Sequence, residues 1–184
     1  MKVALCLSGH MRTYESTYDS LKRYVIDKYS PDIFMSTWDT LGFWSADERG
    51  FNPANNLSVK NVEDRFNPIS LNVESYLELE ASFIEKAEPL EREKIWYNRP
   101  KNVVSMYYKS NDSVRLKREH EIKNNFKYDL VIKTRPDILY KEELPDFELG
   151  RMYVLDNEIS TENGLGDIFF AGSSSDIDSF FELY

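Results

Sequence analysis

Hydrophobic and polar positions follow each other in blocks that predict a β-α-β unit at the start of the chain. Residues 2–8 (KVALCLS) are almost all apolar, which is typical of a strand covered on both faces in a parallel sheet. Apolar side chains then recur at the steps of three and four that mark one helical face, at Tyr14, Tyr18, Leu21, Val25 and Tyr29. Ser30-Pro31 ends this helix, because the residue before a proline avoids the helical conformation. Residues 32–39 (DIFMSTWD) predict the second strand.

The centre of the chain predicts a long loop, two helical segments and a strand. Residues 40–57 are rich in glycine, asparagine and proline and predict the loop, after which Ser58 is placed to cap a short helix. Residues 69–74 (ISLNVE) predict a third strand. The acidic stretch 77–100 predicts a helix that is interrupted at Pro89.

The second half predicts one long helix, three strands and a final helix. The long helix runs from Asn102 to near Phe126, and its charged run over residues 109–125 predicts a solvated helix face. The strands are predicted over residues 129–134, 152–155 and 167–171. Ser175 and Asp178 have the spacing of a capping box at the start of the final helix.

This alternation of elements predicts one α/β domain over residues 1–184, a three-layer sandwich around a mostly parallel, Rossmann-like sheet. In such folds a ligand lies beyond the carboxyl ends of the strands, where the strand order reverses. That rule selects the residues at the predicted strand exits, which are Ser8, Gly9, Arg12, Trp38, Asp39, Arg135 and Asp137.

Composition and charge exclude several classes of protein. A net charge of −9 argues against a general nucleic-acid binder, although a few local cations suffice for a nucleotide. Cys6 is the only cysteine and there are two histidines, so neither a disulfide framework nor a multi-histidine zinc site is expected. No apolar run approaches the roughly 18 residues of a membrane span, and the apolar start is shorter than a secretion signal. The sequence therefore predicts a cytoplasmic protein without a transmembrane segment.

The loop after the first strand, Ser8 to Arg12, is a candidate anion site. Exposed amides at a strand-to-helix turn favour a negative ligand. The loop lacks the glycine patterns of dinucleotide and P-loop enzymes. Gly9 is equally well explained as an ordinary turn glycine, and Arg12 could pair with Glu15 instead of a phosphate.

Three further candidates lie at the ends of later strands. Arg135 and Asp137 are two residues apart around Pro136, so their side chains can leave the chain on the same side, where arginine suits phosphate and aspartate suits a hydrated cation or a sugar hydroxyl. The alternative is a surface ion pair of little energetic value. Asp167, between a glycine-rich turn and an apolar strand, could be a general base or an aspartate that caps a turn.

Four segments together resemble small bacterial and viral glycosyltransferases of the GT-A type: ALCLSGHMRTYE, PDIFMSTWD, YDLVIKTRPDILY and GLGDIFFAGSSSDIDSFFELY. The similarity extends over residues 1–184 and is looser over about 40–100. Members of that family use nucleotide sugars to build capsular, lipopolysaccharide or other surface glycans. The resemblance therefore implies a nucleotide-sugar donor, such as a UDP-sugar, and a glycan acceptor.

The resemblance also implies roles for single residues. Ser8, Gly9 and Arg12 correspond to the nucleotide loop, Trp38 and Asp39 would line the cleft, and Asp167 falls near the base of inverting members. Arg135 and Asp137 fall where these enzymes carry Asp-x-Asp, which binds Mn²⁺ or Mg²⁺ and the donor diphosphate. Since arginine replaces the first aspartate, Asp137 is the one metal ligand that remains, and Arg135 can itself stabilise the departing diphosphate.

Glycosyl transfer is thus the predicted function, and two alternatives remain. A nucleotidyltransferase would need a second acidic ligand near Asp137, for which Asp39 is the obvious candidate. A non-catalytic nucleotide- or glycan-binding module would explain the arginine in place of aspartate. It would also explain why the chain ends inside a predicted helix, where such enzymes usually continue.

Overall fold

The computed structural model of the protein describes residues 1–42, 56–92, 100–155 and 168–182. Within these ranges one six-stranded sheet has the order β3-β2-β1-β4-β6-β5. Its strands are β1 (Val3–Ser8), β2 (Asp32–Trp38), β3 (Ser70–Glu74), β4 (Leu130–Thr134), β5 (Tyr153–Val154) and β6 (Phe170–Gly172). The first four strands are mutually parallel, and β6 runs antiparallel to both β4 and β5. The predicted α/β fold with a mostly parallel sheet is therefore confirmed.

The helices begin and end close to the predicted signals. They are α1 (Tyr14–Leu21), which continues through a π-helical segment (Lys22–Ile26) into α2 (Asp27–Tyr29), then α3 (Val59–Phe66), α4 (Tyr76–Arg92), α5 (Pro100–Asn124) and α6 (Ser174–Phe181). Ser30 adopts a left-handed conformation at φ 44° and ends α2 before Pro31. Ser58 caps α3 as predicted, because its Oγ accepts the Asn61 N–H at 3.3 Å.

Side chains that alternate along the strands divide between two faces of the sheet. Val3, Leu5 and Leu7 of β1 join a core with α1 and α3. Ala4 and Cys6 face the opposite core, where α5 and α6 cover the sheet. Burial raises the pKa of the Cys6 thiol to about 12, so this cysteine is the inert apolar side chain that its neighbours predict.

Two local predictions are wrong. Pro89 does not interrupt α4, which continues to Arg92. The proline removes only one backbone hydrogen bond, and Phe83 and Ala87 of the same helix hold it in a buried aromatic cluster. The cap of α6 is Ser173 and not Ser175, since the Ser173 Oγ accepts the Asp176 N–H at 3.2 Å. The N-terminal cap therefore lies two residues earlier than predicted.

The largest correction concerns α5, whose charged run was predicted to face solvent. Buried positions of this run include Lys109, Ser110, Asp112, Ser113, Lys117 and Glu121. The helix packs its polar side against β1 and β2, so these groups are satisfied by partners within the protein. Lys117 Nζ, for example, lies 2.6 Å from Asp178 Oδ1 and 3.1 Å from Glu121 Oε2.

In the part of the chain that the structure describes, none of the helices combines the length and the apolar character that crossing a membrane requires.

Candidate functional site

The candidate site lies where the strand order reverses. From β1 the chain proceeds to β2 and β3 on one side of the sheet, whereas β4 is paired with β1 on the other side. Because β1 and β4 are parallel neighbours, the loop after Ser8 and the segment after Thr134 emerge at the same edge. This is the position at which open α/β sheets bind ligands.

A carboxylate held between two guanidinium groups occupies this edge. Arg135 donates two hydrogen bonds to the Asp137 carboxylate, with Nε 2.9 Å from Oδ1 and Nη2 2.7 Å from Oδ2. Arg12 Nη1 reaches the same Oδ2 at 3.5 Å. The Asp137 side chain is 6% exposed and each arginine side chain 24% exposed, so this is a half-buried cluster and not a surface ion pair. Within the described residues Arg12 pairs with Asp137 and not with Glu15.

The loop that carries Arg12 is fixed to β2 and to the chain beyond it. Gly9 has a φ of +101°, donates its N–H to the Ser36 carbonyl at 3.1 Å and accepts the Thr37 hydroxyl at 2.8 Å. Arg12 itself has a φ of +28°, which is strained for a residue with a side chain. Its N–H donates to the Leu41 carbonyl at 2.7 Å. The backbone therefore holds the Arg12 side chain in position at a conformational cost.

The cluster retains positive charge and an unused donor. Two guanidinium groups face one carboxylate, which leaves one positive charge in excess. Burial, and then the nearby charge of Arg135, lower the pKa of Arg12 below its usual value. Arg12 Nε is buried and has no hydrogen-bond partner among the described residues. A cationic cluster with a free, desolvated donor is suited to an anion with several oxygens, such as a phosphate or diphosphate.

The same cluster does not suit a divalent metal ion. Asp137 already accepts three hydrogen bonds from two cations, which would repel Mn²⁺ or Mg²⁺. Among the described residues no group of three or more histidine, cysteine, aspartate or glutamate side chains is placed to share an ion. The cluster therefore presents cations, and not free carboxylate oxygens, to a ligand.

The other predicted site residues lie in different environments. Ser8 is buried, with its Oγ 3.2 Å from the Ser110 Oγ. Trp38 is buried in an aromatic cluster with Tyr76, Phe83 and Tyr108, so its ring packs in the core and does not line an open cleft. Asp39 follows β2 and contacts the start of α4, where its Oδ1 accepts the N–H of the first helical residue, Tyr76, at 3.4 Å. Asp167 lies outside the described residues.

A polar layer beneath the site was not predicted from the sequence. It connects α5 to the carboxyl ends of three strands, through Ser8 to Ser110, Ser36 to Asp112, and Glu74 to Lys109 and Tyr108. Lys109 is fully buried, and its Nζ also lies 4.2 Å from the Trp38 ring centroid. The spacing of the polar residues at 109, 110, 112 and 113 would have predicted this polar layer only if one face of α5 were already known to lie on the sheet.

His10 also lies at this edge of the sheet, and the sequence did not predict it as a site residue. Its ring lies 6.0 Å from that of Trp38 and 5.8 Å from that of Tyr76, and its Nδ1 faces the Thr40 carbonyl at 3.5 Å. Gly42 covers the ring so closely that a Cβ there would lie 2.6 Å from the His10 Cγ. Burial, reinforced by the charge of Arg12, lowers the pKa of His10 to about 4, so the imidazole is neutral.

This pKa predicts a pH dependence of stability. Its value in the unfolded chain is about 6.5, so between pH 6.5 and 4 the unfolded state binds the proton more readily and the folded state loses stability as the pH falls. From pH 6.5 to 4.5 the loss should be on the order of 2 kcal/mol. Denaturant unfolding over this range should show the slope in the wild type and a flatter profile in His10→Gln. Equal slopes in both proteins would refute the assignment.

Comparisons of the chain with protein-family models and with curated proteins give no match. The fold and the site define a class by their geometry: a mixed α/β protein with a mostly parallel sheet and an arginine-rich cluster at the reversal of strand order.

Proposed function

We propose that the protein is a glycosyltransferase of the GT-A type, which binds a nucleotide sugar through Arg12 and Arg135, both held by Asp137, and transfers the sugar to a hydroxyl group of a glycan. The observation that carries this proposal is that two guanidinium groups, from the segments that follow the neighbouring parallel strands β1 and β4, share one oxygen of Asp137. That arrangement presents fixed positive charge where α/β folds bind ligands. The resemblance of the four sequence segments specifies the sugar diphosphate among possible anions.

The proposed chemistry assigns the guanidinium groups to the leaving diphosphate. The bond between the anomeric carbon and the diphosphate oxygen breaks, and its electron pair goes to that oxygen. The acceptor oxygen forms the new bond to carbon and gives its proton to a base, for which Asp167 is proposed. Arg12 and Arg135 would stabilise the charge that grows on the diphosphate, and prepositioned donors of this kind account for a large share of rate acceleration. Asp137 orients Arg135 by its two-point contact.

A nucleotidyltransferase is less well supported by the same geometry. That reaction calls for a second metal-binding carboxylate beside Asp137. Asp39, the candidate from the sequence, instead accepts a backbone N–H at the start of α4. Within the described residues the partners that Asp137 contacts through ion pairs are arginines.

The first test measures nucleotide binding and compares Arg135 with an exposed arginine outside the site. Calorimetric titration with UDP, GDP and dTDP, each with and without Mn²⁺, should show binding of at least one nucleotide. Arg135→Met should weaken it about 10- to 100-fold, the loss expected for a charge-assisted hydrogen bond. Arg151→Met, which removes an exposed arginine paired with Glu148, is the matched control and should leave the affinity unchanged. Equal affinities for wild type and Arg135→Met would overturn the site.

Turnover is the second test. Release of free nucleotide should be measured across a panel of UDP-, GDP- and dTDP-sugars, with and without added glycan acceptors. Release from one donor, stimulated by an acceptor, is the expected result. Nucleotide binding without release from any donor would instead favour the non-catalytic binding module.

A further inference from the structure

A polar groove lies between α1 and α3, apart from the arginine cluster. It has a volume of about 530 Å³, within the range of small-molecule sites. Its lining includes Glu15, Tyr18, Asp19, Asn61, Asp64 and Arg65. Three carboxylates, an amide, a phenol and a guanidinium therefore border one opening.

Contacts between the two helices preform the walls of this groove. The Tyr18 hydroxyl donates to the Arg65 carbonyl at 2.6 Å, and Arg65 Nη1 donates to the Glu15 carbonyl at 3.3 Å. The Arg65 guanidinium lies 4.9 Å from the Tyr18 ring centroid, and the Tyr18 ring meets the edge of Phe66 at 5.1 Å. Because these contacts join α1 to α3 without a ligand, binding would require little ordering of the protein.

The charge of the groove selects the ligand. Within the described residues the carboxylates of Glu15, Asp19 and Asp64 make no ion pair, whereas the Arg65 guanidinium is directed to a backbone carbonyl and an aromatic ring. The groove is therefore anionic and rich in acceptors, which disfavours phosphates, nucleotides and acidic sugars. Uncharged sugars supply many hydroxyl donors, and these hydroxyls also accept from groups such as Asn61.

We propose that this groove binds uncharged sugar units of the acceptor glycan, an inference that rests on the proposed glycosyl transfer. Glu15, in the first turn of α1, follows Arg12 of the arginine cluster by three residues. One helix start thus joins a cationic site for the donor diphosphate to an anionic groove for the acceptor. The negative charge of the groove would keep the donor diphosphate out of the acceptor site.

The test is nuclear magnetic resonance of the ¹⁵N-labelled full chain titrated with methyl glycosides of glucose, galactose and N-acetylglucosamine. At least one should perturb amides of residues 15–19 and 61–65 at millimolar concentration, and glucuronate should bind at least several-fold more weakly. Asp64→Asn should weaken sugar binding several-fold. Glu63→Gln, which neutralises the preceding exposed carboxylate outside the groove lining, is the matched control and should not change sugar binding.

The outcomes separate this inference from the proposed function. If nucleotide binds but none of the glycosides perturbs the groove, or if the perturbed amides lie elsewhere, the groove assignment is wrong and the donor site stands. Equal binding of glucuronate and the neutral glycosides would also overturn it. Asp64→Asn should leave nucleotide affinity unchanged and Arg135→Met should leave glycoside binding unchanged, whereas a joint loss in either variant would contradict two separate sites.

Discussion

Replacing Lys117 by methionine is expected to lower the free energy of unfolding by about 3 kcal/mol, because it leaves buried carboxylates without their central cation. The Lys117 side chain is 0% exposed, and its Nζ contacts Asp178, Glu121 and the Ser174 hydroxyl at 2.6, 3.1 and 2.7 Å. These contacts join α5 to α6 at the point where both helices cover the sheet. For a chain of this size the midpoint of thermal unfolding should fall by roughly 6–12 °C.

The chain offers a matched control in Lys127. Its Nζ contacts the same two carboxylates, Glu121 at 3.0 Å and Asp178 at 3.1 Å, but its side chain is 57% exposed. Lys127→Met should therefore cost no more than about 1 kcal/mol, as is usual for solvated ion pairs. Chemical denaturation of both variants measures the difference. Equal losses in both, or an unchanged stability of Lys117→Met, would show that the buried lysine does not hold the two helices together.

Replacing Asp137 by asparagine is expected to lower the rate of the proposed sugar transfer about 100-fold while nucleotide affinity stays within about threefold of the wild type. Asparagine keeps the shape of the side chain, but its amide cannot accept both hydrogen bonds from Arg135. Arg135 then loses its fixed orientation. The net charge of the cluster rises from one to two positive charges, which maintains the attraction for the diphosphate.

This separation of rate from affinity distinguishes Asp137 from a direct ligand of the nucleotide. Single-turnover transfer rates and calorimetric nucleotide affinities should be measured for the same preparations, with unfolding midpoints as a check on the fold. Asp146→Asn, at a fully exposed carboxylate near Lys28, should change neither quantity. Equal losses of affinity and rate would place Asp137 in the binding step, and an unchanged rate would remove it from the mechanism.

The arrangement of Arg12, Arg135 and Asp137 was partly predictable. A buried strand followed by an arginine and an aspartate placed both side chains at the exit of β4, and the strand-exit rule placed Arg12 at the same edge. The contact between Arg12 and Asp137 bridges 125 positions of the chain. It depends on β4 being the neighbour of β1, and strand neighbours are not encoded in local periodicity.

Trp38 and His10 show the opposite case. Trp38 lies at the end of a predicted strand, yet its side chain turns into the cluster formed by α4 and α5. Pairing of β1 with β2 and of β2 with β3 decides which exit residues face solvent and which are covered by a helix. The same packing buries His10 under Gly42 and keeps its imidazole neutral.

By itself the sequence determined the order of the elements, since continuous apolar runs specify buried strands and steps of three and four specify amphipathic helices. It also determined the cap of α3 and the burial of Cys6. Only the tertiary structure decided that the charged run of α5 lies against the sheet, because a buried lysine and a solvated lysine have the same sequence pattern. What separates them is whether carboxylates from α6 and from the same helix come within hydrogen-bonding distance, and that is a property of packing alone.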